Sequence, residues 1–177
     1  HQFQDIGSVE QKIRGVVETL RDYDFLQENI LEATKLGRRV SELYIDPESA
    51  HIMLESLRNA EEREEERIDT ISYLFMLSRT TEMQPLLRVG KNEYEEMQKA
   101  LMDGEKYILE SVPEEFDPAH EKFMEVMKTS LMMQGWISEV DEEKLMDEYG
   151  VAPGAVRAKM RNADWLVYAA KELVRLD

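Results

Sequence analysis

Cysteine is absent from this 177-residue chain, and glycine and proline are scarce at eight and five residues. Without cysteine there is no disulfide framework, no thiolate metal site and no thiol nucleophile, and the chain fits a reducing, cytoplasmic interior. So few glycines and prolines speak for helices rather than a turn-rich sheet. No apolar run approaches the ~18 residues of a membrane helix, and no signal-peptide pattern opens the sequence, so no membrane partner is expected. The opening His1-Gln2-Phe3-Gln4 reads as the start of a piece cut from a longer chain. Positive charge is also short: 22 Lys and Arg stand against 38 Asp and Glu, a net charge of −16. A generic nucleic-acid coat would be basic overall. Local contact stays open, because acidic faces beyond a Debye length of ~8–10 Å are screened. Most of the glutamate excess reads as solvated helical surface.

What is present suits a helical bundle. Hydrophobic residues make up 42%, eleven of the residues are Met, and helix-start signals recur. Ser8 with Gln11 forms a capping-box pattern ahead of Val9, Ile13, Val16, Val17 and Leu20. Phe25-Leu26 and Ile30-Leu31, broken by Gln27-Glu28-Asn29, read as a small β-hairpin. Thr34 caps a short helix to Leu43. Asp46-Pro47 and Asp117-Pro118 each combine an N-cap carboxylate with proline at the first helical position. Glu61 to Arg67 reads as a charged connection, and Ile68 to Leu77 as a buried helix. Asn92 to Met102 forms the next helix, and the one after Pro118 runs to a core Trp136. Asp141 caps a helix closed by Gly150, and Pro153-Gly154 launches the last helix, to about Leu176.

No catalytic constellation is evident. Gly-x-x-x-x-Gly-Lys-Ser/Thr, Gly-x-Gly-x-x-Gly and Gly-x-Ser-x-Gly are all missing, and the three histidines, His1, His51 and His120, lie in unsuggestive settings. Glu48-x-x-His51 and Asp117-x-x-His120 mimic di-iron spacing. Both sit in the first turn after an Asp-Pro start, where acidic residues favour the helix dipole in any case. Neither a catalytic nor a metal residue is expected in this chain.

The last helix carries the most informative face. At about 100° per residue, Val156, Met160, Ala163, Val167, Ala170 and Val174 form one apolar stripe. Trp165 then points away from it, with Arg157, Arg161 and Tyr168 on its side, while Lys159 and Lys171 flank the core edge. An aromatic projecting among cations serves either to pack under another domain or to stack bases beside phosphate-holding arginines.

Two strings resemble one family. Thr34-Lys35-Leu36-Gly37-Arg38-Arg39-Val40-Ser41-Glu42-Leu43-Tyr44-Ile45-Asp46-Pro47 resembles the junction between winged-helix and helical domains in archaeal Ski2-like DNA helicases, the superfamily 2 group acting at stalled forks. Tyr149-Gly150-Val151-Ala152-Pro153-Gly154, through Ala163-Asp164-Trp165-Leu166-Val167-Tyr168-Ala169, resembles that family's ratchet helix and its lead-in. The second string has cousins in RNA helicases.

The resemblance implies an all-α ratchet domain over 47–177, preceded over 1–46 by the C-terminal part of a winged helix. It implies a strand-guiding role in an ATP-dependent 3′–5′ helicase of fork repair and restart. Single-stranded or forked DNA would be the partner, with contacts at Trp165, Arg161, Arg157, Tyr168 and Lys159. ATP and magnesium would belong to RecA-like domains outside this chain, and a helix-hairpin-helix domain would be a further partner. Where the family is expected to place its stacking arginine, seven residues before the tryptophan, this chain has Ala158, and Ala155 replaces the usual Asp after Pro-Gly. A protein-interaction module and a di-metal enzyme are the alternatives.

Overall fold

The computed structural model describes residues 2–177, and its architecture is all helical. The helices are α1 (Gln2–Asp22), α2 (Lys35–Glu42), α3 (Pro47–Glu61), α4 (Thr70–Ser78), α5 (Tyr94–Gly104), α6 (Pro118–Ile137), α7 (Glu142–Tyr149) and α8 (Pro153–Val174). Short 3-10 turns at Glu65–Arg67, Thr81–Met83 and Glu105–Tyr107 join them, and no strand forms among the described residues.

The helix starts follow local chemistry. Thr34, Asp46, Asp117 and Asp141 each accept a first-turn N–H, with Pro47 and Pro118 at the first helical positions. Asp69 and Ser72 complete a capping box that opens α4. Gly150 closes α7 in the left-handed conformation, φ 62°.

Two expectations need correction. Helix α1 begins at Gln2, so Ser8 is interior and caps nothing. Only His1 lies outside the described residues. The expected hairpin is a loop closed by one isolated bridge between Leu26 and Ala33. Gln27 N–H donates to the Glu32 carbonyl at 2.9 Å and Thr34 N–H to that of Phe25 at 3.0 Å. The Thr34 hydroxyl also donates to the Asp24 carbonyl at 2.6 Å. These bonds pin the loop ends, Phe25 is buried, and Ile30 and Leu31 stay exposed, so no second ladder pair forms.

The core centres on α4 against α6. The Phe75 and Phe123 rings lie 5.6 Å apart, and the Arg79 guanidinium sits 4.8 Å over Phe123 while Nε donates to Glu110 at 2.8 Å. Met53, Met83, Met124, Met127, Met132 and Met133 are fully buried. Unbranched thioethers fill the uneven gaps between helices of unequal length. Trp136 packs against this core, and Phe25, Leu36, Val40, Leu43 and Ile45 join it, so one core continues across residue 46.

One buried charge stitches the loop before α5 to the bundle. Lys128 on α6 donates to the Arg88 carbonyl at 3.0 Å and to both Glu93 oxygens at 2.8 Å. Glu93 also accepts from Gly90 N–H at 2.7 Å. The Lys128 hydrogen bond, then that of Gly90, holds the Glu93 carboxyl below its ordinary value of 4.5. A carboxylate depressed on folding adds stability above its unfolded pKa and loses it as pH falls through the folded one. Glu93→Gln is therefore expected to lower stability at pH 7 by about 2 kcal/mol, less than a wholly buried pair because Glu93 is part-exposed. It should also flatten the acid limb of the stability curve below pH 4.5. Chemical denaturation at pH 3 to 7 measures both effects, and parallel curves for the two proteins would refute the assignment.

Candidate nucleic-acid interface

Helix α8 is held on several sides, by α2, α3, α4, α6 and the Thr81–Met83 turn. Its buried residues are Val156, Lys159, Ala163, Leu166, Ala169, Ala170 and Leu173. Relative to the stripe read from periodicity, this face is turned by about 60° toward Trp165. Leu166 and Leu173 bury more apolar area than Val167 and Val174, which stay exposed. Trp165 consequently stands at the edge of the buried face, part-buried and packed against the core, not opposite it.

The site residues separate by environment. Arg161 and Tyr168 lie on the open side of α8, within about 60° of Trp165 around the helix. Ion pairs on α8 run through Arg157, Glu172 and Arg175, which leaves Arg161 and Lys171 without one among the described residues. Arg157 is exposed but grips Glu142 of α7, Nε to Oε1 at 3.2 Å and Nη2 to Oε2 at 3.1 Å. Exposed pairs of this kind contribute about 0–1 kcal/mol, so the guanidinium can exchange Glu142 for another anion at little cost. Asp164 is the uncompensated acid on the same side.

Lys159 departs from the expected arrangement. It is buried, and its ammonium donates to the Met83 carbonyl at 2.8 Å and the Pro85 carbonyl at 2.6 Å. Burial lowers its pKa from the usual lysine value. The side chain ties α8 to the 83–85 loop instead of flanking the open face. No local signal announces this, because the carbonyls lie more than seventy residues upstream.

Two further ties that sequence reading missed brace α8 before and after Trp165 along the helix. Arg39 of α2 reaches Glu172 at 2.5 Å and Glu42 at 2.9 Å, and its hydrogen bond holds the Glu172 carboxyl below the usual range. Asn162 donates to the Glu82 carbonyl at 2.7 Å. The pairs that mimic metal spacing are engaged elsewhere. His51 stacks on Tyr23 with ring centroids 3.8 Å apart, and His120 Nδ1 bonds the Pro113 carbonyl at 2.9 Å. Among the described residues no three His, Asp or Glu side chains gather as a metal site.

Asp46, Asp69, Asp117 and Asp141 each accept one or two first-turn N–H groups at the starts of α3, α4, α6 and α7. No described helix is long and apolar enough to cross a membrane.

Comparison with known proteins gives a consistent result. Residues 71–176 match the family described as archaeal helicase, domain 4. The chain is 36% identical over 177 residues to the ATP-dependent DNA helicase Hel308 of Methanocaldococcus jannaschii, covering 99% of this chain and 13% of that protein. It is 36% identical over 168 residues to Hel308 of Methanococcus vannielii, covering 91% of this chain and 20% of that protein. With Hel308 of Caldivirga maquilingensis the identity is 33% over 176 residues, covering 96% and 23%. The chain thus spans less than a quarter of the length of these relatives.

Proposed function

Because this chain belongs to the archaeal helicase domain 4 family, we propose that it is the strand-guiding helical module of an ATP-dependent 3′–5′ DNA helicase. Single-stranded DNA runs along the open side of α8. A base stacks on the free edge of Trp165, Tyr168 extends the aromatic surface, and Arg161 holds the backbone. Arg157 joins when phosphate displaces Glu142. The observation that carries this reading is Arg161: in a chain of net charge −16, an arginine without an ion pair lies one turn from a part-buried tryptophan. Lys159 supports α8 from inside.

The chain supplies no nucleotide chemistry. On this reading ATP and magnesium are held by RecA-like domains of the parent protein, which works in the cytoplasm at stalled forks. The winged-helix origin of residues 1–46 and a helix-hairpin-helix neighbour belong to the same proposal. Re-stacking on Trp165 rectifies each step driven from elsewhere, so the strand does not slip back.

The test is tryptophan fluorescence titration with a single-stranded oligonucleotide at low and high salt, comparing this chain with Trp165→Phe. Trp136 is the constant background. Quenching that weakens with salt and vanishes in Trp165→Phe is expected, and Arg161→Ala should reduce the salt slope by about one. No quenching at low salt would sink the reading and assign Trp165 to a protein dock.

A further inference from the structure

Tyr44 combines two unfavourable features. Its side chain is 88% exposed, and its backbone lies in the left-handed region at φ 55°. It directly follows the C-cap of α2, where its N–H donates to the Ser41 carbonyl at 3.2 Å. Glycine or asparagine is the usual residue at such a position, and a bulky one is a genuine outlier. The other two non-glycine residues with positive φ are Asp24 and Glu139, both polar. Leu43 and Ile45, on either side, are buried. They clamp the backbone and leave the ring no way into the core.

The segment that carries the ring is tied to α8 on both sides of Tyr44. Arg39 is tied to Glu172 of α8. At the other end, Asp46 N–H donates to the Glu82 carboxylate at 2.7 Å, and the Glu82 carbonyl accepts from Asn162 of α8. Residues 39–46 therefore run alongside α8 between Glu172 and Asn162. Trp165 falls inside that window, about 4.5 Å along the axis from Asn162 and about 10.5 Å from Glu172. Around the axis it lies about 60° from the first and about 20° from the second. Tyr44 is two residues from Asp46, at most about 7 Å of chain.

We propose that Tyr44 is a second base-stacking platform for the same single strand, adjoining Trp165. The inference rests on the reading of α8 given above. Proteins that hold single strands without reading sequence stack successive bases on a row of aromatics and track the backbone with cations. Arg38 supplies such a cation: it is exposed, and the ion pairs of α2 run through Arg39 instead. The ligand is any single-stranded oligonucleotide, because every base offers a π face.

Two variants test the proposal. Tyr44→Trp in the Trp165→Phe background places an indole at this corner, and titration with a 20-mer of oligothymidylate should quench it in a salt-sensitive way. Tyr44→Gly removes both the ring and the backbone strain, so thermal stability should hold or rise while affinity falls about five- to tenfold. If Trp165 of the natural chain responds to the oligonucleotide, while Tyr44→Trp does not and Tyr44→Gly keeps its affinity, this proposal fails alone. Tyr44 would then face a protein. If neither position responds, the reading of α8 fails with it.

Discussion

Trp165→Ala in the parent helicase is expected to cut strand unwinding by about tenfold or more, and to leave ATP hydrolysis measured without DNA near its original rate. Base stacking on an aromatic contributes about 1–3 kcal/mol per base, and 1.4 kcal/mol is a factor of ten. On the proposed reading the nucleotide is held by domains outside this chain, so the hydrolytic step is expected to hold. Trp165 is also packed against the core, and its removal therefore carries a folding cost. Trp165→Phe separates the two effects, since it keeps an aromatic edge and most of the packing. It should retain more unwinding than Trp165→Ala at similar stability. Equal loss of unwinding and of DNA-free hydrolysis would count against a guiding role and point to general damage.

The parts of the fold that were legible in advance are those decided within a few residues. Asp46-Pro47 and Asp117-Pro118 announce α3 and α6 because cap and proline act locally, and Gly150 announces the end of α7 by the same logic. The face of α8 was harder. Periodicity weights every apolar residue alike, whereas burial depends on which neighbours arrive. Leu166 and Leu173 won the interior, and Val167 and Val174 were left beside Tyr73 and Leu57 in an open apolar groove of about 570 Å³. That turn of the helix moved Trp165 from the far side to the edge.

The burial of Lys159 has a related cause. A lysine reads as surface unless distant carbonyls converge on it, and the partners here come from the 83–85 loop. The hairpin does not form because two short apolar pairs do not specify a ladder: only Phe25 finds the core, Ile30 and Leu31 stay in solvent, and the loop closes on a single bridge. Tyr44 was visible as a residue but not as a strained one. The available signal was a helix ending at Leu43 with no glycine after it.

Gly37 gives the sharpest structural prediction, and it lies in the string from Thr34 to Pro47. A Cβ built there would lie 2.0 Å from the Phe25 carbonyl oxygen and 2.7 Å from its carbon. Both are backbone atoms, held by Thr34 N–H and by burial of the Phe25 ring, so no flexible end can give way. Gly37→Ala should therefore cost about 3 kcal/mol by overpacking. Its intrinsic helix gain of about 1 kcal/mol offsets only part of that. The net loss corresponds to a fall in Tm of roughly 4–8 °C for a chain of this length. Gly15 is the control: it lies within α1 with nothing inside 4 Å of its added Cβ. Gly15→Ala should raise stability by about 0.5–1 kcal/mol. Opposite signs for the same substitution, read by thermal unfolding, would establish that α2 is docked through close backbone approach. Two increases would mean that α2 is free to retreat from Phe25, and the corner that carries Arg39 and Tyr44 would then be less firmly placed against α8 than the contacts imply.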